Sequence, residues 1–466
     1  MRRCTVLDEL PLDLDRDRPE PLSVQVAAGL RHAATTGLLH SGDRLPSSRA
    51  LAGRLGVSRT VVAAAYDQLH AEGWISGKLG SGTYLTTAPA AVPVRAAEPG
   101  GTDAERHLFD LGPGAPCTET IDPAAWRRAW RAAADHSPLV RKDRAGEPEF
   151  RTAVTAHLLR HRGLGAGSDT VLLATAGTSS AVGELAAALL RPGAAVAMED
   201  PGYQRAAGAF AAAGVRVLPV PVDAHGLRVD LLPAEAEAVY CTPAHQFPLG
   251  ARMPAARRVD LVEHARRSGI FVIEDDYDGE LRYDTAPLPL LAAMAPDVAV
   301  HLGTTSKILS PSLGVGWLLA APEIAAAVLD YRERTGTGPS PAGQRVLAAF
   351  AAHGDLARHL RRLRRALPPR RALIVTELRR RGLGVVGDDA GSHVVVPVDS
   401  AETEERAVAA GQARGVALDG LARHHLGPHR DHFGVALGYT ALSWSDLVAA
   451  VPIAAECLAR PVAWSA

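Results

Sequence analysis

At 466 residues the chain is long enough for more than one hydrophobic core, and with a net charge of −1 it cannot attract nucleic acid through its overall field. No run of about 18 uncharged apolar residues occurs, and Met1-Arg2-Arg3-Cys4 leads into Asp8-Glu9-Leu10 instead of a signal-peptide core, so a cytoplasmic chain that does not enter a membrane is expected. Cys4, Cys117, Cys241 and Cys457 form no CxxC pair, which argues against a zinc site and a disulfide framework.

Residues 1–20 read as an N-terminal extension. Apolar residues at Leu22, Val26, Leu30 and Ala33 predict a first helix, stopped by Gly37 before the turn Gly42-Asp43-Arg44-Leu45-Pro46. Ser47 and Ser48 are placed to cap a short helix over Arg49 to Leu55. Gly56 breaks it, and Ser58 caps a second helix with Val61, Ala65 and Leu69 on its core face. Two helices across a tight glycine turn make a helix-turn-helix. Trp74-Ile75 and Tyr84-Leu85 flank a glycine-rich stretch, Ser76 to Gly82, which predicts a hairpin, the wing. This module covers 21–86. From 87 to 105 Ala, Pro and Gly dominate and large apolar residues are scarce, the composition of a linker. From 106 to 466 amphipathic helices alternate with short apolar strands at 171–173, 195–198, 215–220, 238–240 and 271–273, which predicts an open α/β sheet.

Within 21–86, Lys and Arg outnumber Asp and Glu six to three, so a local basic surface exists where the whole chain has none. A recognition helix needs donors at its N-terminal end, and Ser58, Arg59 and Thr60 supply them, Arg59 being the candidate for base readout. Arg44, Ser48 and Arg49, at the start of the preceding helix, are candidates for phosphate contacts, and Lys78, Ser81 and Thr83 for contacts from the wing. The ordered segments Leu45-Pro46-Ser47-Ser48-Arg49, Gly56-Val57-Ser58-Arg59-Thr60, Ala64-Ala65-Tyr66, Ala71-Glu72-Gly73 and Gly80-Ser81-Gly82-Thr83 resemble the GntR-type winged helix. The resemblance implies a dimer on double-stranded operator DNA, held by salt-sensitive phosphate contacts.

In the larger part, Lys307 follows the apolar strand Val298 to Leu302 within Gly303-Thr304-Thr305-Ser306-Lys307, at a sheet edge where α/β proteins bind ligands. Asp275 lies just past the strand 271–273, with Tyr277 two residues on. Gly177, Thr178 and Ser179 open a helix whose free amides make an anion site. A lysine that can form a Schiff base, a carboxylate for a ring nitrogen and a phosphate cup are what pyridoxal 5'-phosphate (PLP) requires. With Glu199-Asp200-Pro201-Gly202-Tyr203, Thr242-Pro243-Ala244-His245-Gln246-Phe247-Pro248-Leu249-Gly250 and Ile273-Glu274-Asp275-Asp276-Tyr277-Asp278, these residues resemble the fold-type I aminotransferases. Joined to the winged helix, they resemble the MocR subfamily of GntR regulators from about Pro21 onward. The resemblance implies a multidomain chain: a winged helix-turn-helix plus an α/β PLP-dependent transferase domain that dimerises. It makes Lys307 the Schiff-base lysine, Asp275 the partner of the pyridine nitrogen, Tyr277 the contact to the ring hydroxyl and Tyr203 the cover of the ring face. Thr304, Gly177, Thr178 and Ser179 would serve the phosphate. Arg205 matches an effector-side arginine, and His245 falls where true aminotransferases use an asparagine against the cofactor's hydroxyl.

Two positions depart from that pattern. An arginine expected seven residues after the lysine, to grip the phosphate, is Gly314, and the arginine expected to bind a substrate carboxylate is Ala436. Losing one charge-assisted phosphate contact costs about 1.5–3 kcal/mol, which weakens cofactor binding without abolishing it. Losing the carboxylate clamp counts against turnover of ordinary amino acids. Arg423-His424-His425 and His429-Arg430-Asp431-His432 read as a polar surface loop, with replacement cations or a metal-ligand spacing as alternatives. The reading that follows is a DNA-binding transcription regulator sensing an amine or PLP-related effector. An active aminotransferase with an appended DNA-binding domain, and a PLP-free dimerisation scaffold, are the alternatives.

Overall fold

The computed structural model describes residues 12–78, 82–86, 109–165, 169–283 and 288–459. The linker 87–105, Ser81 and the side chain of Lys78 lie outside the described residues. The chain divides into two compact units, Met1–Asp103 and Ala104–Ala466. Among the described residues no helix is long and apolar enough to cross a membrane.

In the first unit, α1 (Leu22–Thr35) buries Val26, Leu30 and Ala33 together with Ala27 and Ala34, the predicted face. Strand β1 (Arg44–Leu45) precedes α2 (Ser48–Leu55), whose N-cap Ser47 accepts the Ala50 amide at 3.2 Å and whose last turn ends at Gly56 with φ 63°. Helix α3 (Arg59–Ala71), capped by Ser58, buries Val62, Ala65, Tyr66 and Leu69. Val62 is therefore the fully buried valine, not Val61 as predicted: the Tyr66 ring lies on the core side, and the residue four positions before it shares that face. Tyr66 donates to the Pro46 carbonyl at 2.8 Å and Arg31 pairs with Glu72 at 2.6 Å, which ties α3 to the turn before α2 and to α1. Strands β2 (Ile75–Lys78) and β3 (Gly82–Leu85) form the wing, and β1 pairs antiparallel with β3. Arg44 thus belongs to the wing sheet and not to the start of α2, a correction to the sequence reading.

The second unit opens with β4 (Phe109–Asp110), α4 (Pro123–Ala134) and α5 (Pro148–His161). Its central sheet holds β5 (Val171–Thr175), β6 (Ala195–Asp200), β7 (Arg216–Asp223), β8 (Gly226–Leu227), β9 (Ala238–Cys241), β10 (Phe271–Asp275), β11 (Ala299–Thr304) and β12 (Gly316–Ala320), in the order β5-β12-β11-β10-β9-β6-β7-β8. The pairs from β11 through β10, β9 and β6 to β7 are parallel, while β12 runs antiparallel to both its neighbours. Side chains alternate between two apolar layers: Val196, Tyr240, Ile273 and Val300 face one cluster, and Ala197, Val239, Val272 and Ala299 the other. Burial on both faces explains why these strands read as continuous apolar runs. The connecting helices are α6 (Thr178–Leu189), α7 (Gln204–Ala212), α8 (Ala255–Ser268), α9 (Leu291–Met294) and α10 (Pro322–Thr335). Beyond them come α11 (Pro341–Ala352), the long α12 (Asp355–Arg380), α13 (Ala401–Ala413) and α14 (Trp444–Leu458). They accompany an antiparallel sheet of β13 (His393–Pro397), β16 (Gly434–Gly438) and β15 (Asp419–Gly420), while β14 (Val416–Ala417) pairs with β4.

Candidate functional site

The first unit presents Ser58, Arg59 and Thr60, all exposed, at the N-terminal end of α3, where free amides and the positive helix end favour contact with phosphates and base edges. Arg49 is exposed on the first turn of α2 and Ser48 is half-buried beside it. Arg44 is exposed on β1, its guanidinium lying over Gly82, where a Cβ would come within 2.7 Å of Nε. Thr83 is half-buried on β3.

In the second unit the loops after β5, β6, β9, β10 and β11 surround one cavity of about 690 Å³, at the carboxyl ends of the parallel strands. Lys307, Asp275, Tyr277, Tyr203 and Arg205 all line it, as do Gly177, Thr178, Ser179 and Thr304. Gly177 takes φ 120° where β5 turns into α6, so the first amides of α6 open toward the cavity. Thr304 ends β11, and its hydroxyl donates to Ser306 Oγ at 3.0 Å while accepting the Ser306 amide. Lys307 Nζ donates to the Gly114 carbonyl. Burial pushes the Lys307 ammonium below its ordinary value, against the opposing pull of Asp275 and Asp278.

Asp275 is buried, and burial raises its carboxyl to about 7. Tyr240, beside it on β9, donates to Oδ2 at 2.6 Å, while Oδ1 has no hydrogen-bond partner. A buried carboxylate oxygen left open beside a cavity fits a protonated ring nitrogen. Tyr203 is held by Ser179 at 3.3 Å and stands edge-on to Phe247, their centroids 5.7 Å apart. The turn carrying Tyr277 is anchored from behind: Arg162, almost fully buried, pairs with Asp276 at 2.5 Å and Glu280 at 3.1 Å, and His157 meets Glu280 at 2.9 Å. The set can hold a flat, anionic aldehyde ring, with an amine for its carbonyl, an acceptor for its nitrogen and amides for its phosphate.

His245 does not line the cavity, contrary to the sequence reading. It lies behind Tyr277, and Phe247, next to Pro248, occupies the cavity wall instead. Tyr240, Thr242, Phe247, Ser392, Arg423 and His424 line the cavity without having been predicted there. For Tyr240 the signal was a polar tip within an aliphatic strand. Arg423 and His424 belong to the run read as a polar surface loop; Arg423, His429, Arg430 and Asp431 are exposed as that reading has it, and the correction concerns His424, which is buried, and the place of both Arg423 and His424 on the cavity wall. Asp419 takes Arg423 Nη2 at 2.7 Å and His424 Nε2 at 3.2 Å, and Asp200 accepts the Leu426 and Gly427 amides at 2.8 and 3.1 Å, fixing the run against the β6–α7 turn. Arg430 is exposed and lies off the cavity lining. Among the described residues the His, Cys, Asp and Glu side chains that converge within 4.8 Å are His245, Asp278 and His393, none of them in this run. Ala436 is fully buried on β16 among Val395, Leu421 and Leu249, away from the cavity lining. Gly314 is exposed, with φ 55°.

The model of the aminotransferase class I and II family matches residues 106–421, and that of the bacterial regulatory proteins of the gntR family matches 22–85. The chain is 34% identical to the HTH-type pyridoxine biosynthesis transcriptional regulator PdxR of Corynebacterium glutamicum, over 93% of this chain and 95% of that protein. It is 32% identical to the probable rhizopine catabolism regulatory protein MocR of Rhizobium meliloti, over 92% of each. Among solved structures it is similar to a kynurenine aminotransferase of Pyrococcus horikoshii, with 25% identity and a TM-score of 0.68, over 76% of this chain and 91% of that one.

Proposed function

The chain belongs to the MocR subfamily of GntR-type regulators and is accordingly a DNA-binding transcription regulator; from that premise we propose that its aminotransferase-like domain binds PLP and senses an amine or PLP-related effector. The observation that carries the reading is the single cavity in which Lys307, Asp275 with its open Oδ1, Tyr277 and Tyr203 meet the amides of α6. When bound, PLP supplies an aldehyde that condenses with amines. Lys307 would hold that carbon, Asp275 the ring nitrogen, Tyr277 the ring hydroxyl and Tyr203 the ring face. Gly177, Thr178, Ser179 and Thr304 would hold the phosphate without the arginine that Gly314 replaces. Arg205, exposed at the rim, is the effector-side cation.

Ala436 supports sensing over amino-acid turnover, because an alanine closed among Val395, Leu421 and Leu249 offers a carboxylate neither charge nor space. The corynebacterial relative, named for pyridoxine biosynthesis, supports an effector related to PLP. The regulator acts as a homodimer on two half-sites, with the effector shifting the population of arrangements that bind DNA. The test is the visible absorbance of the purified chain with added PLP. A band that Lys307→Ala abolishes is expected; no band in the wild type, or an unchanged band in Lys307→Ala, overturns the reading.

A further inference from the structure

Behind Tyr277 the fold builds a polar pair, His245 and Asp278, outside the cavity lining. His245 Nδ1 lies 3.0 Å from the Tyr277 hydroxyl and 2.9 Å from Asp278 Oδ2, and all three side chains are buried. The slot for the imidazole is specific. A Cβ at Gly391 would come within 2.4 Å of the ring and one at Gly250 within 3.2 Å of Nε2, so two glycines on different segments leave room for it. His393 on β13 is a titratable neighbour of His245, its ring centroid 5.0 Å away and its Nε2 on the Pro248 carbonyl at 2.8 Å, while Asp275 and Glu199 act on Tyr277, and Lys307 interacts with Asp278, from the cavity side.

Asp278 Oδ2 is an acceptor 2.9 Å from Nδ1, which assigns a proton of His245 to that nitrogen. That N–H also points at the phenol oxygen, which leaves Nδ1 unable to take the phenol hydrogen. The Tyr277 hydrogen then has two acceptors, Asp278, with which the phenol also hydrogen-bonds, and an acceptor oxygen in the cavity; the His245 N–H on Asp278 Oδ2 weakens the first and so favours the second. We propose that His245 and Asp278 are positioning residues that set the Tyr277 hydroxyl as a donor toward the ring oxygen of a bound cofactor, an inference that rests on the PLP reading above. A donor aimed at that oxygen stabilises its negative charge, and the imidazole N–H behind the phenol strengthens the donor.

The test is a pH titration of the visible absorbance of the PLP-loaded full chain. Tyr277→Phe, His245→Phe and Asp278→Asn should each raise the pH midpoint by about one unit, a tenfold change in the proton equilibrium. The double variant His245→Phe/Tyr277→Phe should shift no further than Tyr277→Phe alone, because the pair acts through the phenol. His245→Asn, which keeps an N–H near the Nδ1 position, should restore a midpoint close to the wild type. Midpoints unchanged in His245→Phe and Asp278→Asn overturn the proposal, as does a His245→Phe shift that adds in full to that of Tyr277→Phe. Should His245→Phe fail to fold, the isosteric Asp278→Asn, alone and combined with Tyr277→Phe, carries the same comparison. A wild type that takes up no PLP overturns the parent reading and this one with it; normal uptake with unmoved midpoints overturns this one alone.

Discussion

Replacing Arg162 with leucine tests how the turn that carries Tyr277 and Asp278 is held. The guanidinium is 2% exposed, pairs with Asp276 at 2.5 Å and Glu280 at 3.1 Å, and donates through Nε to the Leu288 carbonyl at 3.2 Å. Glu280 keeps His157, but Asp276, whose Oδ1 already lacks a partner, loses the guanidinium that pairs with its Oδ2. Breaking a buried pair from one side costs about 3–5 kcal/mol, which for a domain of this size lowers Tm by roughly 4–7 °C. The pH dependence separates this from simple loss of packing. In the wild type burial pushes Glu280 up, but His157 and Arg162 outweigh it and hold the carboxyl well below its ordinary range. A depressed carboxyl stabilises the fold above its unfolded pKa, and that contribution is lost as the pH falls. In Arg162→Leu that contribution is smaller, because Glu280 has lost one of the two cations that depress it, so less stability is lost as the pH falls. The gap in Tm between wild type and variant, followed by circular dichroism, should therefore narrow from pH 7 to pH 4. A gap that is equal at both pH values, or a variant as stable as the wild type at pH 7, refutes the reasoning.

Asp275→Asn should stabilise the PLP-free chain while removing its partner for the cofactor. Burial raises this carboxyl to about 7, so the stability it contributes at low pH is lost as the pH rises through 7, and the gain in Tm from the asparagine should be larger at pH 8 than at pH 5. Ala436→Arg should not create amino-acid turnover: at 0% exposure among Val395, Leu421 and Leu249 the added charge should lower Tm and the yield of soluble protein, and an assay for oxo-acid product should stay at background. Arg59→Ala should weaken specific DNA binding by about ten- to a hundredfold and relax base preference at one position, which gel shifts on a panel of single-base variants would register.

The winged helix was legible almost completely, because caps and glycines act locally. Ser47, Gly56 and Ser58 stand where the sequence placed them. Only the identity of the buried valine and the place of Arg44 in the wing sheet needed the third dimension, since both depend on what packs from another segment. In the large domain each predicted strand is present, but β5, β6 and β10 run two residues beyond their apolar runs, into Ala174-Thr175, Glu199-Asp200 and Glu274-Asp275. Most of those added residues are polar because the strands end at the cavity, and an apolar pattern stops where function begins.

The sequence by itself determined the order of elements and the part of the cavity's lining that stands at strand ends, because Lys307, Asp275, Tyr277, Tyr203 and Gly177 sit at fixed offsets from those ends and a parallel sheet brings them together. Only the tertiary structure decided what stands behind and across from them. His245 left the cavity for a slot between Gly250 and Gly391, and Arg423 and His424 entered it from a run that reads as surface. Ala436 proved to be sealed in a second sheet. These contacts join residues far apart in the chain, and hydrogen bonds such as Leu426 to Asp200 leave no periodicity or spacing along the chain from which to read them.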